Sequence, residues 1–218
     1  YFLEPVGSLF DAAPLPLTDC FALEPAFEPL GTLGIAVRGP VRSVLVHADV
    51  PLAALSGRAV SVCEETSCSA ALLRVLLARR YECRDVRFER SAADDPGCAA
   101  RLEIGDAALA GTDGARERRF DLGAEWFDWT GLPFVFARWV VARGTDPVER
   151  DALLRAVEES LDRSLADIEG TASAGDRLGL TRAASREYLA AFAYRLGPVE
   201  EEGAARFRAL LEGLDVRP

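Results

Sequence analysis

The strongest constraint on this chain is the way short β-prone runs alternate with helical ones. Leu33-Gly34-Ile35-Ala36-Val37 and Val41-Arg42-Ser43-Val44-Leu45-Val46 read as two consecutive strands divided by the turn Arg38-Gly39-Pro40. Ala59-Val60-Ser61-Val62 reads as a further strand, followed by the polar loop Glu64 to Ser69 and the apolar helical pattern Ala70 to Leu77. Val86 to Phe88 and Arg101 to Ile104 supply two more strands, the second ending on Gly105-Asp106 before a small helix. This succession predicts an α/β domain with a largely parallel sheet. Pro133 to Val141 reads as a long apolar strand. Beyond it the carboxy-terminal third is helical: one helix opens at Asp146-Pro147, and two more span roughly 182–196 and 199–214, parted by Gly197-Pro198.

Composition narrows the partners. Twenty-five Lys and Arg against 35 Asp and Glu leave a formal net charge of -10, and the basic cluster Arg116 to Arg119 is interrupted by Glu117. Nucleic acid and anionic membrane are poor fits to such a surface. No apolar run reaches the roughly 18 to 20 residues of a membrane helix, since Leu132 to Ala142 is broken by Arg138. Five cysteines at irregular spacing argue against a disulfide framework and for the reducing cytoplasm. With a single His and no second cysteine pair, Cys63 and Cys68 do not make a zinc finger, so no metal is expected. Neither a Gly-x-Gly-x-x-Gly run nor a phosphate-binding Walker loop is present, so no nucleotide cofactor is expected. The chain holds no Met and opens on Tyr1, which we read as a chain lacking its natural amino-terminal part.

Several segments carry candidate chemistry. Thr66, Ser67, Cys68 and Ser69 lie where a strand feeds a helix start, so hydroxyls and free backbone N–H groups converge on a carboxylate or phosphate there. The same hydroxyls serve equally as helix caps. Arg42 and Ser43 are expected on opposite faces of one strand, one of them toward a cleft. Asp106, after Gly105 at a strand end, stands where open α/β sheets collect ligand groups, or caps the next helix. His47 is expected to be a structural or surface residue, because no Gly-x-Ser-x-Gly elbow accompanies it. Trp126, Phe127, Trp129, Phe134 and Phe136 read as core.

Taken as a set, Gly39 to Leu45, Thr66 to Ser69 with Ala71 to Leu77, Ile104 to Leu109, and Asp121 to Gly123 with Trp126 and Trp129 to Ala137 resemble the chorismate dehydratase family of the futalosine route to menaquinone. Tyr188-Leu189 and Tyr194 to Gly197 through Phe207 resemble that family's end. The resemblance implies a type II periplasmic-binding-protein-like fold of two α/β lobes around a cleft. Residues 1–50 plus 131–218 would form lobe one and 51–130 lobe two, with crossings near 46–51 and 130–133. It further implies a cytoplasmic, cofactor-independent hydro-lyase that takes water from chorismate to give 3-[(1-carboxyvinyl)oxy]benzoate. By the same resemblance Ser43 and Asp106 are the catalytic candidates, and Arg42, Thr66, Ser67, Cys68, Ser69, Gly105 and Thr130 the substrate-binding ones. Two positions depart from the family's Ser-Arg-Thr-Ser-like loop: Ser67 stands for Arg and Cys68 for Thr, so the loop carries no cation. A Tyr-Leu-Asn-like motif that closes the family's first strand is matched only by Tyr1-Phe2-Leu3, without the Asn. The alternative reading is a non-catalytic small-carboxylate binding protein on the same fold. A transcription-associated ligand sensor ranks last, because no helix-turn-helix is visible.

Overall fold

A computed structural model describes residues 10–63, 67–90, 97–111 and 116–214. Two sheets organise it. The first has strand order β1-β8-β2-β9, built from β1 (Ala12–Pro16), β8 (Phe134–Ala142), β2 (Phe27–Val37) and β9 (Phe192–Arg195), with every pair antiparallel. The second has order β5-β4-β6-β3-β7, from β5 (Arg87–Arg90), β4 (Ala59–Val62), β6 (Ala100–Ile104), β3 (Val44–Ala48) and β7 (Arg118–Asp121). Here β5, β4 and β6 run parallel, while β3 is antiparallel to β6 and β7 to β3.

The sheets correct three expectations. Only two neighbouring pairs, β5–β4 and β4–β6, are parallel, because β3 runs against the other strands of its sheet, entering it directly from the other sheet and not through a helical crossover. The runs at 33–37 and 41–46, expected as consecutive strands divided by a turn, belong to different sheets, so the chain crosses between 38 and 43 and not near 46–51. The carboxy-terminal helix expected over 182–196 ends at Ala190; Phe192 and Ala193 pair instead with Val37 and Ala36 as β9. An aromatic at 192 on a half-buried edge gains more from packing on β2 than from prolonging a helix.

Helices occupy the connections. They are α1 (Leu17–Leu23), α2 (Cys68–Val75) with a π-helical turn to Arg80, α3 (Gly105–Ala110) and α4 (Leu122–Thr130). The carboxy-terminal part adds α5 (Pro147–Ala166), α6 (Ile168–Ala172), a 3-10 turn (Ser173–Leu178), α7 (Arg182–Ala190) and α8 (Pro198–Leu211). As its sequence promised, α5 starts with Pro147 in the first turn, and the Asp146 carboxylate accepts from the Val148 and Glu149 amides.

The main core runs between the sheets. Trp126 of α4, Phe134 of β8 and Phe207 of α8, all fully buried, meet edge to face with ring centroids 4.9 to 5.9 Å apart. The Trp126 indole N–H donates to the Pro133 carbonyl at 3.2 Å, where the chain returns from the second sheet to the first. No described helix is long and apolar enough to cross a membrane.

Candidate functional site

The strand directions bring the candidate residues to one edge. Since β4 and β6 are parallel, their carboxy-terminal ends, Val62 and Ile104, emerge together. The antiparallel β3 begins there, directly after Ser43, and β7 ends there, at Asp121. Ligand groups collect at this edge of an open sheet because helix amino-termini and loop amides face it. The end of β4, which leads toward α2, lies two strand spacings from the start of β3, about 10 Å.

Ser43 is nearly buried, at 6% exposure, and anchored at both its ends. Its carbonyl accepts from the Gly105 amide at 2.8 Å, and its Oγ accepts from the Tyr188 hydroxyl of α7 at 2.9 Å. Gly105 adopts φ +60, the left-handed conformation that turns the chain from β6 into α3 without a Cβ penalty. Ser43, Gly105 and Asp106 are thus assembled as neighbours, with Tyr188 as a fourth member. Burial raises the Tyr188 pKa above its ordinary value; the hydrogen bond to Ser43 opposes this and the Asp106 charge adds to it. The phenol therefore stays protonated at neutral pH and acts as a donor.

Asp106 is exposed and rims a cavity of about 200 Å³, whose polar lining includes Arg177, Ser185 and Tyr188. Its Oδ2 lies 3.7 Å from Arg177 Nη2.

The remaining candidates are placed as follows. Arg42 is not in a strand: it takes φ +65, its amide donates to Asp121 Oδ2 at 2.6 Å, and its side chain meets Glu187 of α7 at 3.4 Å. The turn needs this because Asp121 also accepts from the Val41 amide at 3.0 Å and from the Ala124 amide at 3.1 Å as the cap of α4. Thr66 lies outside the described residues. Ser67 is exposed just before α2 and makes no side-chain cap; its Oγ accepts from Thr18 Oγ1 at 3.3 Å, joining the starts of α1 and α2. Cys68 is 5% exposed, and burial pushes its thiol up to about 12, so it is neutral and held in the core. Ser69 is nearly buried in the first turn of α2. Thr130 closes α4: its Oγ1 donates to the Trp126 carbonyl at 2.8 Å and accepts from the Leu132 amide at 3.1 Å. Its hydroxyl is spent on its own helix end.

His47 lies four residues along the strand from Ser43, about 13 Å away. Its Nε2 is 3.3 Å from the Glu103 carboxylate, which also meets Arg101 at 3.2 Å. This fits the structural one of the two roles expected of it.

Tyr188, Asp121, Arg177 and Ser185 escaped sequence reasoning as site residues. Tyr188 and Asp121 left a signal only as parts of the Tyr188-Leu189 and Asp121 to Gly123 segments, and nothing local connects Tyr188 to a serine 145 residues away.

Comparison with known proteins converges on one family. A family model described as menaquinone biosynthesis matches residues 6–213. Chorismate dehydratase of Thermus thermophilus is 32% identical over 216 residues, covering 88% of this chain and 76% of that protein. Among solved structures, protein AF1704 from Archaeoglobus fulgidus superposes with TM-score 0.73 at 15% identity, over 97% of this chain and 84% of that one. The periplasmic aliphatic sulphonate binding protein SsuA from Escherichia coli gives TM-score 0.58 at 15% identity, over 94% and 70%. Both structures share the fold, as the α/β periplasmic-binding-protein-like expectation required. By family model and by sequence, the chain belongs to the menaquinone biosynthesis family and is a homologue of chorismate dehydratase.

Proposed function

We propose that this chain takes water from chorismate to give 3-[(1-carboxyvinyl)oxy]benzoate, using its own side chains without a cofactor. In this reaction one ring C–H bond and one C–O bond break, the proton and hydroxide leave as water, and the ring becomes aromatic. No electrons are gained or lost overall, so the protein's tasks are to fix the dianion in one pose and to manage one proton. The observation that carries the reading is the Tyr188 hydroxyl donating to Ser43 Oγ beside Gly105 and Asp106. Because Ser43 Oγ accepts from Tyr188, its own proton is directed away from the phenol, toward the substrate's departing hydroxyl. Asp106, exposed at the same edge, orients the substrate or carries its proton. The amino-terminus of α2, with Ser67 and Ser69, offers the dianion amides that have no partner within the helix and a favourable dipole.

The two sheets serve as two lobes joined at 38–43 and 131–133, and their closure excludes water from the substrate. The five cysteines are free thiols, in keeping with a cytoplasmic site of action. The test is to incubate the protein with chorismate and follow the aromatic product by absorbance and mass. Turnover is expected. No turnover, with chorismate still raising the melting temperature, would establish a binding protein instead.

A further inference from the structure

Ser43 follows a turn that its own residues do not favour. Arg42, just before it, is not a glycine and yet takes φ +65. A Cβ disfavours this left-handed conformation, which persists only where surrounding bonds enforce it. Those bonds come from Asp121, at the end of β7, whose register sets it opposite Leu45, two residues beyond Ser43. Its Oδ1 accepts from the Val41 amide at 3.0 Å and its Oδ2 from the Arg42 amide at 2.6 Å. One carboxylate thereby grips two consecutive amides of the turn. Oδ1 also caps α4 through the Ala124 amide at 3.1 Å. Capping alone needs one acceptor, which Ser, Thr or Asn supplies as well. The second carboxylate oxygen is given over to Arg42.

Gly123, in the first turn of α4, bounds the same turn from the other side. A Cβ on it would stand 2.5 Å from the Gly39 carbonyl oxygen and 3.1 Å from the Val41 amide nitrogen. Both are backbone atoms, which no change of rotamer moves aside. Beyond the turn, Ser43 has two anchors, the Gly105 amide on its carbonyl and the Tyr188 hydroxyl on its Oγ. Were φ at Arg42 to revert to the negative range, the chain would leave the turn in another direction and Ser43 would lose its alignment with both.

We propose that Asp121 is a positioning residue for the dehydration: through the Val41 and Arg42 amides, and with the bare Cα of Gly123 beside it, its carboxylate sets where Ser43 presents its hydroxyl. The proposal rests on the dehydratase reading for what Ser43 does, and adds which residue holds it in place.

The test compares wild type with Asp121→Asn, Gly123→Ala and, as a remote control of the same chemistry, Asp146→Asn, whose carboxylate takes the Val148 and Glu149 amides at the start of α5. Asp121→Asn replaces one acceptor oxygen by a donor, and Gly123→Ala pushes the turn. Each should lower kcat about tenfold and leave KM for chorismate within about twofold, because Ser43 shifts relative to a substrate held by other groups. Asp146→Asn should match wild type in both constants. The double variant Asp121→Asn/Ser43→Ala should be no slower than Ser43→Ala alone. With wild type turning over, a kcat for Asp121→Asn within about twofold of wild type, or a further loss in the double variant, overturns the positioning role and leaves the dehydratase reading intact. Hydrogen exchange read by NMR judges the same tie without turnover. The Gly105 amide, bonded to the Ser43 carbonyl at 2.8 Å, should exchange about tenfold faster in Asp121→Asn and Gly123→Ala. The Gly131 amide, bonded to the Phe127 carbonyl at 2.8 Å at the other end of α4, should stay within about twofold of wild type. This pattern supports the positioning of Ser43 even where wild type does not convert chorismate, an outcome that removes the dehydratase reading alone. Equal acceleration at both glycines, or none at Gly105, overturns the proposal.

Discussion

The Tyr188 hydroxyl sits 2.9 Å from Ser43 Oγ and so ties α7 to the first residue before β3. Replacing the phenol by Phe removes this donor while keeping the ring, which packs edge to face on Phe192 at 5.0 Å. Tyr188→Phe is expected to cost about 1 kcal/mol of stability and to lower kcat about tenfold. Ser43→Ala should lower kcat about a hundredfold, and the double variant should be no worse than Ser43→Ala alone. Additive losses in kcat would show that the two hydroxyls do not act through one another.

Ser43 and His47 provide an internal contrast on one strand. Since His47 is engaged with Glu103 about 13 Å along the strand, His47→Ala should reduce stability and leave chorismate turnover within about twofold of wild type once folding is matched. Equal losses of turnover in Ser43→Ala and His47→Ala would displace the reacting edge from where we set it.

The Thr130 hydroxyl is engaged at the end of its own helix. Thr130→Val preserves shape but removes the bonds to the Trp126 carbonyl and the Leu132 amide, so thermal unfolding should show a loss of about 1 kcal/mol. KM for chorismate should be unchanged; a severalfold rise would make Thr130 a substrate contact after all.

Asp121 gathers three backbone amides on one carboxylate. Asp121→Ala leaves the Val41, Arg42 and Ala124 amides without that acceptor, and a loss of about 2 to 3 kcal/mol is expected in urea unfolding. Asp121→Asn, which keeps one acceptor oxygen, should fall between that variant and wild type.

Alkaline pH provides a further test. Burial raises the Cys68 thiol from 9.0 to about 12 in the folded chain. The folded state thus holds a proton that the unfolded state releases, so the contribution is complete below pH 9 and is lost as pH climbs from there toward 12. Stability should be level from pH 7 to 8.5 and decline above it. In Cys68→Ala the decline should be shallower between pH 9 and 12, as read by denaturant titrations at each pH. Parallel curves would show that this thiol titrates elsewhere or is not buried.

Local signals make part of this architecture legible. The strand at Arg101 to Ile104, the left-handed Gly105 and the short helix behind Asp106 follow from β-prone residues meeting a glycine, and α5 follows from Asp146-Pro147. What stays hidden is pairing at long range. Strand propensity at Val44 to Ala48 does not say which sheet receives the strand, and Phe192 to Arg195 continues an apolar helical spacing until β2 is available as a partner. Strand β7, with Arg118 and Arg119 on a sheet edge, lacks the apolar alternation that marks a strand. The site divides in the same way. Ser43, Gly105 and Asp106 are found through motif resemblance, and the geometry brings them together. Tyr188, Arg177 and Ser185 come from the helical carboxy-terminal region, and only folding brings them to that edge.

Helix α4 joins the two places where the chain passes between sheets. Its first turn is fastened by Asp121 to the outgoing connection, its middle by Glu125 to Arg80 and Tyr81, and its last turn by Thr130 to the returning one. Nine helical residues span about 13 Å. The two connections are therefore set at opposite ends of one stiff rod, as the pins of a door are set by its frame. Rotation about the line of that rod leaves these bonds intact, whereas twisting or sliding one sheet across the other requires breaking them.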